Sequence, residues 1–159
     1  MSASGEPPRR IPTATAQLES AVIAHRVGDV WDLVHHLRLA EVSPQDVVSV
    51  LWDEESGGSP RIGSTAAVEY VDGSRWRLRV TGIVEYRLLE YELIEVEPEI
   101  ECDAVNVKIR LAPVTETGHT MVTWITILTN QANLERIEDI KYKKLAFFAD
   151  VRRYMATRS

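Results

Sequence analysis

The chain has 159 residues, enough for one domain with a sizeable core. With 45% hydrophobic and 26% charged residues it has the composition of an ordinary soluble globular protein. A net charge of −6 argues against a nucleic-acid or anionic-membrane surface, since both need a basic patch, and no apolar run reaches the roughly 18 residues of a membrane span.

The single Cys102 cannot form an internal bridge and points to a reducing compartment. Met1 to Pro12 has no apolar core of a secretory signal, so a cytoplasmic protein is expected. Residues 1–13 read as a flexible tail rich in Ser, Gly, Pro and Arg, and 14–159 as a single domain.

Thr15 to Ala24 alternates Leu18, Ser20 and Val22 against Gln17, Glu19 and Ala21, which predicts a strand. Val27 to Leu37 places Val30, Trp31, Val34 and Leu37 at helical spacing, with His35 and His36 at the end. Arg38 to Gln45 is a helical turn or loop interrupted by Pro44. Asp46 to Glu54, with Val47, Val48, Val50 and Trp52, predicts the next strand. A loop, Ser56-Gly57-Gly58-Ser59-Pro60, leads to a strand over Ile62 to Val71, and Asp72-Gly73 signals a hairpin.

Ser74 to Tyr86 alternates Trp76, Leu78 and Val80 against Arg75, Arg77 and Arg79, as a half-buried antiparallel strand would. The three arginines form a local basic stripe. A turn near Tyr86-Arg87 leads to a strand over Leu88 to Glu97, ended by Pro98. Asp103 to Val114 sets Val105, Val107, Ile109 and Leu111 against Asn106, Lys108 and Arg110. After the turn Thr115 to Gly118 comes the last strand, His119 to Thr129. It is apolar on both faces, so Trp124 can point either way, as can Trp52.

Asn133 to Thr157 predicts one long amphipathic helix. Leu134, Ile137, Ile140, Leu145, Phe148, Val151 and Met155 share a broad face, bordered by Phe147 and Tyr154. Glu135, Asp139, Ala146, Asp150 and Arg153 lie opposite. Asn130 or Asn133 can cap the start, and the charge order suits the helix dipole. Two lysines break the pattern: Lys144 falls near the middle of the apolar arc, and Lys141 beside Phe148. An ammonium is costly to bury unpaired. Either both stems lie along apolar surface with the charges in water, or the helix covers a cavity and one lysine faces into it.

Strand, helix, six strands, helix implies an antiparallel meander with the long helix as its cover. Four local patterns fall in this order. Ile23-Ala24 runs through His25-Arg26 to Val30-Trp31-Asp32-Leu33-Val34. Gly57-Gly58 runs on to Arg61-Ile62-Gly63-Ser64. Tyr70-Val71-Asp72-Gly73 forms a hairpin. Ile109-Arg110-Leu111-Ala112-Pro113-Val114 precedes Gly118-His119-Thr120-Met121-Val122-Thr123-Trp124. Together they resemble the START-like or SRPBCC superfamily, which includes the birch-pollen allergens, lipid-transfer START domains and polyketide cyclase/dehydrase-like proteins. The likeness spans about residues 15 to 157. His25-Arg26 stands where a Pro is common, and Ser59-Pro60 interrupts the glycine-rich loop.

The resemblance implies an α+β helix-grip fold: a curved antiparallel sheet of about seven strands around a long C-terminal helix, with a short helical segment after the first strand. It also implies an apolar cavity between sheet and helix for a lipid, steroid or polyketide-like molecule. Candidate wall residues are Trp76, Leu78, Val80, Tyr91, Val105, Val107 and Ile109 from the sheet, and Lys141, Lys144, Leu145 and Phe148 from the helix. Ordinary packed core is the alternative for each apolar wall residue. A partly buried lysine would anchor a carboxylate or enolate-like oxygen, and its pKa would fall if desolvated.

Three functions are compatible: a carrier or sensor of a hydrophobic small molecule, a polyketide cyclase/dehydratase-like enzyme using the same cavity, or a protein-interaction module with a filled interior. No convergent acid/base set stands out, which puts the carrier first. Adjacent His35 and His36 make a poor chelate and are expected to face solvent. Glu90, Glu92, Glu95, Glu97, Glu99 and Glu101 read as a solvated edge. Ser56 and His119 lack a nucleophile-elbow context. With no phosphate loop or dinucleotide fingerprint, no cofactor and no metal are expected. A homodimer is left open.

Overall fold

The computed structural model describes residue 11 and residues 13–53, 59–100, 102–130 and 134–158. Ser56, Glu101, Asn133 and most of the predicted tail lie outside the described residues. The elements are β1 (Ala14–Ile23), α1 (Val27–His35), α2 (Leu39–Val42), β2 (Val47–Trp52), β3 (Thr65–Tyr70), β4 (Arg75–Val84), β5 (Leu88–Glu97), β6 (Ala104–Pro113), β7 (Thr120–Thr129) and α3 (Leu134–Ala156). The seven strands form one antiparallel sheet in the order β1-β7-β6-β5-β4-β3-β2. This is the helix-grip fold that the resemblance implies.

Turn chemistry sets the meander. At β3–β4, Gly73 takes φ 91° and donates its N–H to Tyr70 O at 3.0 Å. Asp72 Oδ1 accepts from the Ser74 backbone at 2.9 Å, closing the Asp-Gly turn that the sequence marks. The inner face then carries the alternate apolar residues of each strand: Leu78 and Val80, Leu89 and Tyr91, Val107 and Ile109, and Val122 and Leu128 are all buried. Against them pack Val30, Leu33 and Val34 of α1 and Phe148, Val151 and Met155 of α3. The two-way ambiguity of β7 resolves with Val122, Trp124 and Leu128 inward and Met121 outward.

The outer face holds an ion-pair ladder. Arg77 reaches Glu95 across β4–β5 at 3.2 Å, and Arg79 Nε reaches Glu92 at 3.0 Å. Arg75 lies 4.0 Å from Glu69 of β3. Register explains it, since Arg77 pairs with Glu95 and Arg79 with Glu92. The basic stripe is therefore neutralised, and part of the acidic run has fixed partners rather than a purely solvated edge. Exposed pairs of this kind contribute less than about 1 kcal/mol each.

One open facing is settled and one expected facing changes. In β1 the apolar Leu18 and Val22 are exposed, while Gln17 is buried. In α3 the buried stripe is Lys144, Phe148, Val151 and Met155, with Asp150 also buried. Leu134 and Leu145 are exposed. Leu145 lies about 100° from Lys144 on one flank, and Asp150 about 120° on the other. α3 packs chiefly on β1 and α2, and the α2 side covers Asp150. The covered arc is thus turned away from Leu145 and towards Asp150.

Candidate functional site

A narrow void of about 30 Å³ lies where α1, α3 and the sheet meet. Its walls are Val30, Leu33, Val34 and Leu37 from α1 and the turn after it, Ile23, Ile109, Val122 and Trp124 from the sheet, Leu39 of α2, and Phe147, Phe148 and Val151 from α3. The aromatic part of the wall is ordered: Trp124 meets Phe147 edge-on at 5.2 Å and Phe148 at 6.2 Å. The space holds one or two water-sized spheres, against the several hundred Å³ of a usual ligand pocket.

Of the predicted wall residues, Ile109 and Phe148 line this void. Leu78, Val80, Tyr91, Val105 and Val107 are buried on the same inner face, and Trp76 is half-buried there, but none of them borders the void. Lys141 and Leu145 face solvent, because the buried arc of α3 is turned away from them. The α1 contribution was missed, although Val30, Val34 and Leu37 at helical spacing carry the signal for it.

Lys144 is 2% exposed, yet its ammonium neither reaches water nor borders the void. It donates to Gln17 O at 2.9 Å and Trp124 O at 3.1 Å, tying α3 to neighbouring strands β1 and β7. It also lies 5.7 Å from the centroid of the Trp124 ring. Desolvation lowers its pKa to about 8, with Glu19 opposing the shift weakly. Around it Gln17 Nε2 bonds Glu19 at 3.0 Å, while Gln17 Oε1 and Trp124 Nε1 are buried without partners.

Farther along the sheet, Tyr70 meets Trp76 edge-on at 4.9 Å. Burial pushes the Tyr70 and Tyr91 phenols well above their usual range, so both stay neutral and able to donate hydrogen bonds. Among the described residues no three His, Cys, Asp or Glu side chains stand together to hold a metal ion. No helix among them is long and apolar enough to cross a membrane.

No family model matches the sequence, and no curated protein does. Solved structures do. Ara h 8.0201 superimposes with a TM-score of 0.73 at 16% identity, covering 91% of this chain and 99% of that one. A point mutant of Thalictrum norcoclaurine synthase, in complex with a transition-state analogue, gives 0.69 at 14% identity, covering 95% and 100%. DynU16, from the dynemicin biosynthetic locus, gives 0.68 at 16% identity, covering 91% of this chain and 48% of that one. At these identities the likeness establishes the fold alone.

Proposed function

We propose that the protein binds a small apolar molecule between the sheet and α3, as a carrier or sensor. The observation that carries this reading is the narrow void walled only by apolar side chains, with Trp124, Phe147 and Phe148 among them, at the junction of α1, α3 and the sheet. The void must enlarge about tenfold to take a ligand of ordinary size. α3 is held loosely at its start and firmly over the void. Its first turns present Leu134 and Tyr142 to solvent, and only Ile137 and Ile140 are half-buried there. Its fixed points lie further along, at Lys144, Asp150 and Tyr154. The void lies under Phe147, Phe148 and Val151, among those fixed points, so the room must come from the side chains of the wall and from α1.

The test pairs a filling and an emptying substitution with an apolar fluorescent probe, 1-anilinonaphthalene-8-sulfonate. Val151→Phe should weaken the probe about tenfold or more, at a packing cost of about 1–3 kcal/mol. Phe148→Ala should change its affinity at a cost of about 3–5 kcal/mol. Circular dichroism confirms that both remain folded. Probe affinity unmoved by either variant removes the interior from the proposal.

The small volume favours, as a second reading, an interaction module with a packed interior. Mass spectrometry of purified protein separates the two: a co-purifying apolar molecule supports the carrier, and bare protein with no probe binding supports the module. An enzyme reading is less favoured, because Lys144 is engaged by two carbonyls and stands apart from the void.

A further inference from the structure

α1 has two working faces. Val30, Leu33 and Val34 look into the void. Trp31, Asp32, His35 and His36 look the other way, into an open cleft of about 490 Å³ whose far wall is the β4–β5 hairpin tip with Glu85 and Tyr86. That volume lies within the range of small-molecule sites.

Tyr86 is the exposed aromatic residue of the cleft's lining, and Trp31, 4% exposed, packs against it. His35 stacks flat on Trp31, with centroids 5.1 Å apart and planes 8° apart. Tyr86 meets Trp31 edge-on at 6.5 Å. Tyr86 holds φ 64°, a left-handed conformation that costs a non-glycine residue about 1 kcal/mol. The residue is nonetheless 48% exposed, so burial does not offset that strain. The hairpin turn, closed by the Arg87 N–H on Val84 O at 2.9 Å, sets that conformation and holds the phenol at the mouth of the cleft.

The rest of the wall accepts hydrogen bonds. His35 Nε2 lies 3.0 Å from Pro60 O, and His36 Nδ1 lies 2.9 Å from Asp32 O. A carbonyl only accepts, so each ring carries its hydrogen on that nitrogen. In the neutral ring this leaves His35 Nδ1 and His36 Nε2 with lone pairs. The ring centroids lie 4.8 Å apart. Two carboxylates join them. Asp32 is shared with Arg38 at 3.5 Å, and Glu85 makes no ion pair among the described residues.

We propose that this cleft binds a small flat cation, an aromatic ring bearing a protonated amine. The ring would lie against Tyr86 beside Trp31, and the ammonium would meet Glu85 and the imidazole lone pairs. An anion of the same shape would find acceptors and carboxylates in its place.

The experiment titrates the full chain with tryptamine and with indole-3-propionic acid, followed by amide chemical shifts. Tryptamine should shift Gly28, Ile83 and Tyr86 saturably, with the acid about tenfold weaker or more. Tyr86→Gly, which suits the left-handed conformation and so keeps the fold, should weaken tryptamine about tenfold. Glu85→Gln, at an exposed position, should weaken it about threefold. Equal binding of amine and acid, unchanged affinity in Tyr86→Gly, or no saturable shifts with tryptamine would overturn the assignment. So would shifts at Val122 and Phe148 instead, which would place the ligand in the interior void and leave the preceding proposal standing.

Discussion

Leu37 sits at φ 47° just beyond α1, where glycine is the usual residue. Its N–H donates to Val34 O at 3.0 Å, and the Arg38 N–H donates to Leu33 O at 3.1 Å, the two bonds of a Schellman ending. The left-handed backbone costs about 1 kcal/mol. The side chain is 2% exposed and walls the void, and burial of that kind contributes about 2–3 kcal/mol. Burial wins, so Leu37→Gly should lose about 2–4 kcal/mol in urea unfolding although it relieves the backbone. A variant as stable as the parent would show that the strain dominates. The helical spacing made Leu37 legible as core, but nothing local announced its conformation. β1 teaches the same lesson. Its alternation marks a strand, yet nothing local says that the set with Gln17, and not the set with Leu18 and Val22, faces inward. His35 also escaped a local reading: half-buried and stacked on Trp31, it is not the solvent-facing residue its neighbours suggest.

At the scale of elements, sequence reasoning does best where the signal is periodic. β5 runs from Leu88 to Glu97 as the pattern predicts, and α3 differs by one residue at each end, because both elements carry their own pattern and stops. The rotation of α3 was not legible, because a helical wheel shows an apolar arc but not a polar residue that a partner draws inward. Asp150 is that residue. It is 5% exposed, and Ser43 Oγ and Gln45 Nε2 each donate to its Oδ2 at 2.7 Å, while Arg153 pairs with the other oxygen. One carboxylate thus fastens the α2–β2 connection to α3. Asp150→Ala should cost about 2–4 kcal/mol, since Ser43 is itself buried and keeps a donor with no partner. Hydrogen exchange should quicken in the last turns of α3 before it does in the sheet. A loss below about 0.5 kcal/mol would mean that water replaces the carboxylate and the fastening is nominal.

For the whole molecule, buried ionisable groups of opposite kind give stability a maximum on the alkaline side. Lys144 titrates near 8 in the fold, against an ordinary value of 10.5. Between those values the unfolded chain holds a proton that the folded chain has shed. Unfolding then takes up a proton, so stability rises with pH across that window. The full rise is about 3 kcal/mol, at about 1.4 kcal/mol per pKa unit. The buried phenols of Tyr70 and Tyr91 act in the opposite sense, because their folded values lie above the ordinary 10. Above pH 10 the unfolded chain releases phenol protons that the folded chain keeps, and stability falls. Urea midpoints should therefore climb from about pH 8, crest near pH 10 and drop beyond it. Lys144→Met removes the charge and keeps an apolar stem in the arc, so its profile should lose the climb and start higher at neutral pH. Tyr91→Phe should keep the climb and soften the drop. A parent profile flat between about pH 8 and 10, or a climb that survives in Lys144→Met, would mean that the two carbonyls of β1 and β7 hold the ammonium charged as well as water does.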